Sequence, residues 1–391
     1  MVITSCEKIL IREGENMIIK NCKIIYWDRI EEGSLLIEEG KIKEINPKEC
    51  EDMDVIDAGG LYVSPGFIDV HIHGAGNCDT MDGTVESINT IAETIVKHGT
   101  TSFTPTTMTA SVSDTRKALK VIQLCKNTGT RGANVLGAHL EGPFINKDAM
   151  GAQNGKYILE PGVDKYKEIT DGYEDAIVSI TISPEVDGAE SLVKYVSETG
   201  VVCSTGHTKA TYEQTIDHIK WGVSHATHFY NAMTPFNHRE PGVVGAVFNT
   251  DITAELISDG IHVSYPALKV AYKEKGSDKL LLVTDAMRAC CMKEGMYTLG
   301  GQDVVVKGSS ARLKNGVLAG SILTLDKAVK NIYKNLNVPL FEVIKMASYN
   351  PAVHCNVQNR KGIIKEGYDA DLILFDDDIN IKKVFVLGRE V

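Results

Sequence analysis

The stretch Ser64-Pro-Gly-Phe-Ile-Asp-Val-His-Ile-His-Gly74 constrains this chain more than any other. Its apolar run from Phe67 to Ile72 reads as a buried strand, and its two histidines fall two positions apart. On a strand, positions i and i+2 point to the same face. His71 and His73 at the carboxyl end of that strand can therefore share one metal ion. Taken alone, a His-x-His pair is explained as well by two ordinary core or surface histidines. What decides is whether further ligand-type residues stand at the ends of other strands.

From Pro65 onward, short apolar or β-rich runs alternate with amphipathic helical segments. The strands are Phe67–Ile72, Ser102–Pro105, Asn134–His139, Ala176–Ile182, Val201–Ser204, Ser224–Ala226, Ile252–Ser258 and Leu280–Thr284. Helical periods cover Val85–His98, Asp114–Asn127, Ala189–Thr199, Thr211–Lys220, Tyr265–Glu274, Leu323–Asn335 and Pro339–Tyr349. Eight strands in β-α repeats predict a closed (β/α)8 TIM-type barrel, with an open doubly wound sheet as the alternative. Before this region, Ile18–Ile25, Ser34–Glu38, Lys41–Ile45 and Val55–Ala58 read as strands with turns between them. The tail returns to strands at Asp371–Phe375 and Lys383–Leu387. The expected fold class is thus α/β, a barrel over residues 61–355 with a small discontinuous β-sandwich from residues 1–60 and 356–391. A Gly-rich β-hairpin insertion is expected near residues 297–318.

The 391 residues suffice for such a barrel, which takes ~250 residues, plus the smaller unit. The net charge of −11, without a basic run, argues against nucleic acid and anionic membrane surfaces as partners. An anionic substrate would need a locally positive pocket. Nine scattered cysteines, with no Cys-x-x-Cys, suit a reducing cytoplasm better than a disulfide framework. The first twenty residues have no signal-peptide core, and no apolar run is long enough to span a bilayer.

Ligand-type residues do recur where strands end. Glu141 stands in His139-Leu-Glu-Gly-Pro-Phe144, His207 in Ser204-Thr-Gly-His-Thr208, His228 in Ser224-His-Ala-Thr-His-Phe-Tyr-Asn-Ala-Met233, and Asp285 in Leu281-Leu-Val-Thr-Asp-Ala286. A strand-end aspartate alone is more often a helix cap or turn former. A glutamate inside an apolar stretch is costly unless paired or metal-bound. Together they supply a carboxylate and two imidazoles from separate strands, with a second carboxylate opposite. Three protein ligands with an open position is the catalytic pattern rather than the closed structural one.

The order of these motifs resembles the N-acetylglucosamine-6-phosphate deacetylase family of the amidohydrolase superfamily. The resemblance is carried by Pro65–Gly74, His139–Phe144, Gly206-His207, Phe229–Met233, Arg239-Glu-Pro-Gly242, Ser258–His262, Val283–Ala286, Leu318–Ser321 and the closing Gly362–Leu372. It implies metal-dependent hydrolysis of N-acetyl-D-glucosamine 6-phosphate to acetate and D-glucosamine 6-phosphate, in amino-sugar catabolism. It assigns Glu141, His207 and His228 as main metal ligands and Asp285 as catalytic acid/base. His71 and His73 imply a second site, so one or two divalent ions, with zinc, iron and manganese all suited to imidazole and carboxylate. The resemblance places Ala152, Asn231, Ala232, Arg239, His262, Leu318, Ala319 and Gly320 against the substrate. Arg239 would reach the phosphate of the neighbouring subunit in a homodimer, where its planar fork can bind the phosphate bidentately. No motif reads the C4 hydroxyl, which leaves the galactosamine 6-phosphate epimer as the rival substrate. A non-enzymatic relative would have lost ligands, and none is missing. A cyclic-amide hydrolase would usually carry a bridging lysine. The segment Met287-Arg-Ala-Cys-Cys291 departs from the family pattern, which has small residues and proline there.

Overall fold

The structure, a computed structural model, describes residues 16–48 and 53–391. The readings made on the first fifteen residues, including the start of the small unit, lie outside the described residues. Strand Phe67–Ile72 is buried at every position, and so is Thr100–Pro105. Such strands are buried on both faces because a parallel barrel covers each strand with helices outside and packed side chains inside. All eight expected barrel strands are present. Phe67–Ile72, Thr100–Pro105 and Asn134–Val135 form one parallel arc. Ala138–Glu141, Ile177–Ile182, Val202–Thr205, Val223–Ala226, Thr253–Ile257 and Leu280–Val283 form the other. Parallel bridges from Thr106 to His139 and from Ile72 to Ala286 join the arcs. Asp285 N–H donates to the His71 carbonyl at 2.8 Å across the second junction. The barrel is closed, and the open-sheet alternative falls.

The third strand runs further than its periodicity suggests, to Glu141, and breaks at Leu136-Gly137. Gly137 has φ +147°, and a Cβ there would lie 2.6 Å from the Ala176 carbonyl oxygen, so only glycine fits. Two barrel helices escaped the sequence reading, Val163–Thr170 after the third strand and Gly242–Phe248 after the sixth. Each is short and follows a long loop that carries site residues.

The insertion after the eighth strand is a three-stranded antiparallel sheet rather than a hairpin: Gly295–Leu299, Gln302–Lys307 and Ser310–Leu313. Two tight turns account for the extra strand, Gly300-Gly301 at φ +56° and +77° and Gly308 at φ +58°. Its apolar face, with Leu299, Val304, Val306 and Leu313, packs on Met108 and Met287 beside the barrel mouth.

Strands from the two ends of the chain share one eight-stranded sheet, in which Leu372–Phe375 pairs with Tyr62–Pro65 and Met17–Ile25 pairs with Ile30–Glu38. A bridge from Lys41 to Asp369 brings the far strand back toward the tail, so the sheet wraps its own core of Ile19, Ile24, Leu35, Val63, Leu372 and Phe385. Strand Tyr62–Pro65 belongs to this sheet too, pairing with strands from both ends of the chain. Among the described residues, no helix is long and apolar enough to cross a membrane.

Candidate active site

The barrel strands deliver their carboxyl ends to one mouth, and the ligand-type residues meet there. Glu141 Oε1, His207 Nε2 and His228 Nε2 lie 3.0–3.2 Å from one another. The second oxygen of Glu141 turns the other way, to 3.3 Å from His73 Nε2. His73 Nε2 is also 3.3 Å from Asp285 Oδ1, and His71 Nε2 is 3.5 Å from both Asp285 and Glu141. Glu141 thus stands between two groups, one with His207 and His228, the other with His71, His73 and Asp285.

The far side of each ring fixes which nitrogen faces the centre. His207 Nδ1 sits 2.9 Å from the Ala149 carbonyl, and His73 Nδ1 3.2 Å from the Thr106 carbonyl. A carbonyl can only accept, so these Nδ1 atoms are the donors, and a neutral ring then presents an Nε2 lone pair inward. His71 Nδ1 lies 2.8 Å from Glu255 Oε2 and is oriented in the same way. Among the described residues, buried His71 Nε2 and His228 Nδ1 have no hydrogen-bond partner. Converging lone pairs backed by carbonyl and carboxylate acceptors are what a divalent cation resolves. The residues fit the metal that the sequence implies.

The electrostatics agree. Burial disfavours charge on Glu141, but the facing His71, with His207 and His228 in contact with the carboxylate, holds its pKa well below the usual carboxylate range. For Asp285, burial is likewise outweighed by His71 and His73, and its pKa is lowered. Burial should neutralise His71, yet the carboxylates of Glu255, Glu141 and Asp285 lift its pKa well above the ordinary value. His73, buried too, is raised to about 10 by Asp285 and Glu141. Protons therefore compete with a cation for these lone pairs.

Backbone strain concentrates at the same strand ends. His207, His228 and Asp285 have φ of +47°, +33° and +48°, and Tyr230 and Ala232 follow at +78° and +50°. Non-glycine residues in this region cost on the order of 1–3 kcal/mol each and persist where the surroundings impose them, commonly at functional sites.

A cavity of about 360 Å³ opens above the cluster. It is lined by His73, Glu141, His207, His228 and Asp285, and by Ala152, Asn231, Ala232, His262, Leu318 and Gly320 from the sequence expectation. His262 Nδ1 is 2.7 Å from Asp259 Oδ2, leaving Nε2 for the cavity. Ala319, expected with its neighbours, is fully buried in the core of the three-stranded sheet instead. Arg239 lies apart. It is exposed on the loop between Met233 and Gly242, does not line this cavity, and pairs with no carboxylate among the described residues.

Three contributors were missed. Glu255, buried on the seventh strand, holds His71 Nδ1, the His228 backbone N–H at 2.8 Å and His225 Nε2 at 3.2 Å. Its signal was present, a glutamate in the apolar run Ile252–Ser258, where burial demands a partner. Gln153 donates to Glu141 Oε2 at 2.6 Å, and Lys209 brings a cation to the cavity wall. Neither shows a pattern in sequence, because both lie on loops.

Fold and site together define a barrel hydrolase built around a histidine-carboxylate centre. A family model described as "Amidohydrolase family" matches residues 62–391. The N-acetylglucosamine-6-phosphate deacetylase of Lysinibacillus sphaericus is 41% identical over 377 residues, 96% of this chain and 97% of the relative. That of Bacillus subtilis is 36% identical, over 94% and 95% of the two chains. The crystal structure of the Pasteurella multocida deacetylase superposes with a TM-score of 0.92 at 32% identity, covering 96% of this chain and 99% of the other. A Mycobacterium smegmatis deacetylase variant in complex with N-acetyl-D-glucosamine-6-phosphate superposes with a TM-score of 0.91 at 28% identity, over 96% and 99%. This chain belongs to the amidohydrolase family, among the N-acetylglucosamine-6-phosphate deacetylases. It is a metal-dependent hydrolase by family, with buried groups able to hold the ion.

Proposed function

We propose that this chain hydrolyses the acetamide of N-acetyl-D-glucosamine 6-phosphate, releasing acetate and D-glucosamine 6-phosphate. The observation that carries this reading is the placement of Asp285 beside His71 and His73, facing the Glu141, His207 and His228 group, at the floor of a cavity lined by Asn231, Ala232 and His262. Glu141, His207 and His228 would hold one divalent ion, zinc, iron or manganese, and His71 and His73 a second. When bound, such an ion polarises a carbonyl and lowers the pKa of water toward ~7.

The chain's own residues do the rest. Asp285, kept ionised by its neighbours, is free to take a proton from the attacking water. It then returns that proton to the departing amine, which leaves badly unless protonated. Glu255 and the carbonyls behind His73 and His207 keep the imidazoles in one orientation throughout. Leu299, Val317 and Leu318 border the mouth and limit water around the sugar. His262 and Lys209, with the Asn231-Ala232 turn, meet the anionic end. Arg239, exposed and without a carboxylate partner among the described residues, reaches the phosphate of a second subunit in a homodimer. The barrel is the unit that carries this chemistry, with the strands from both chain ends as a second, discontinuous unit. Seven free cysteines among the described residues suit work in the cytoplasm.

The test is acetate release by purified protein from the glucosamine and galactosamine epimers side by side. The glucosamine compound is expected to have the higher kcat/KM. Preference for the galactosamine epimer, or no acetate from either, refutes the assignment.

A further inference from the structure

The segment that departs from the family pattern, Met287-Arg-Ala-Cys-Cys291, starts in the core and surfaces away from the cavity. Cys290 is buried, whereas Cys291 is exposed and has φ +65°, a backbone region that side chains seldom adopt. Neither lines the active-site cavity. Cys291 Sγ lies 3.2 Å from His98 Nε2. His98 Nδ1 in turn lies 3.1 Å from Asp326 Oδ2. The imidazole comes from the turn Val96–His98 and the carboxylate from the first turn of helix Leu325–Leu336. Three elements remote in sequence thus line up thiol, imidazole and carboxylate. The second thiol is part of the same cluster, with Cys290 Sγ 3.8 Å from Cys291 Sγ and 3.4 Å from the Leu323 carbonyl.

A carboxylate on the far nitrogen orients an imidazole and favours its protonation, and an imidazolium beside a thiol favours the thiolate. The bond to Asp326, then that to Cys291, raises His98 to about 10. The Cys290 thiol contributes most to lowering Cys291 to about 5, with His98 and Lys327 adding to it against burial. Cys290, by contrast, is pushed up by Cys291 and by burial. One sulfur is thus held as an exposed nucleophile and the other as a protonated neighbour.

We propose that Cys291 is a hydroperoxide-reactive thiolate and Cys290 its resolving thiol, which makes this loop an oxidative modification site outside the active centre. The Cys291 sulfur attacks the terminal oxygen of the hydroperoxide. The O–O bond breaks, the sulfur becomes a sulfenic acid, and the leaving oxyanion takes the proton of His98. The Cys290 thiol then attacks that sulfur. An S–S bond forms, the S–O bond breaks, and water leaves with the Cys290 proton. The two thiols supply the two electrons that reduce the peroxide.

The measurement is peptide mass analysis after treating the intact, metal-loaded protein with hydrogen peroxide, blocking free thiols and digesting with trypsin. Cleavage after Arg288 and Lys293 isolates both cysteines in one short peptide. That peptide should appear unblocked and ~2 Da lighter than its reduced form. In Cys290→Ser it should instead be trapped by dimedone as the sulfenic acid. Alkylation of Cys291 at pH 6 should slow at least ~10-fold in His98→Ala and also fall in the gentler Asp326→Asn. Cys291→Ser without oxidant should keep wild-type deacetylation. Two fully blocked thiols after peroxide overturn the proposal. So does alkylation that is indifferent to His98 and Asp326, or loss of deacetylation in unoxidised Cys291→Ser.

Discussion

Two clusters of buried charge sit at opposite ends of this molecule's logic. At the barrel mouth, Glu141 and Asp285 face imidazoles whose nitrogens converge, and the inward Nε2 of His71 lacks a hydrogen-bond partner among the described residues. In the end sheet, Asp369 and Asp371 face permanent cations. Asp369 Oδ2 lies 2.7 Å from Arg360 and 3.0 Å from Lys361, and its other oxygen meets Lys41. Asp371 meets Lys361 and accepts the Leu387 N–H at 2.8 Å. The residue types differ little in cost of burial. The end-sheet cluster is closed on itself and can only hold the fold together, whereas the mouth cluster is complete only with something added. Left-handed backbone marks the same divide, at His207, His228 and Asp285 but not at Asp369 or Asp371.

The largest expected effect tests the closed cluster. Asp369→Ala strips a partner from buried Lys361 and should cost about 3–5 kcal/mol in a urea titration, with turnover per folded molecule unchanged. Burial alone would raise the pKa of Asp369, but Lys361, Lys41 and Arg360 hold it below the ordinary value. Its contribution is therefore present above the unfolded carboxylate pKa of ~3.9 and is lost as pH falls through the lower folded value. The difference between wild type and variant should shrink below pH ~4, and a difference that persists there would remove the ion cluster as its cause.

At the mouth the signature should invert. Asp285→Asn keeps the size and should lose ~100-fold or more in turnover while substrate still binds and the midpoint of unfolding hardly moves. Near-wild-type turnover would remove Asp285 as the general base, and loss of metal instead would make it chiefly a ligand. Next comes Arg239→Ala, expected to raise KM for the 6-phosphate at least ~10-fold, the loss of a charge-assisted pair of ~1.5 kcal/mol. Mixed dimers of Arg239→Ala and Asp285→Asn chains should regain activity through one intact composite site. No recovery would leave Arg239 serving its own subunit or no phosphate. The smallest effect sharpens the mouth itself. Changing His71 and His73 together to asparagine should lower the divalent metal retained after dialysis by up to one ion per subunit, and an unchanged content would leave a single site.

Strands were legible because each barrel strand is a short apolar or β-rich run alternating with a helical period. The meeting of Glu141, His207, His228 and Asp285 was legible through strand-end position, since a closed barrel delivers every strand end to one mouth. Helices Val163–Thr170 and Gly242–Phe248 were hidden behind the long loops that carry Gln153 and Asn231. Val163–Thr170 has too few turns for a period, and Gly242–Phe248 is apolar throughout and shows none. Glu255 was passed over because its strand shows no motif, although a buried glutamate asks for a partner as plainly as Glu141 does. The resemblance places Ala319 against the sugar, yet beside Gly320 at φ +59° it is buried in the core of the three-stranded sheet. Position within a loop cannot be read from residue type alone.

The most direct test of the open cluster is acetate release from N-acetyl-D-glucosamine 6-phosphate before and after metal is stripped by a strong chelator, with zinc, iron or manganese then returned. Acetate and glucosamine 6-phosphate should form in equal amounts, stop on stripping while the fold persists, and resume with added ion. Undiminished hydrolysis by protein shown to be free of metal would contradict it.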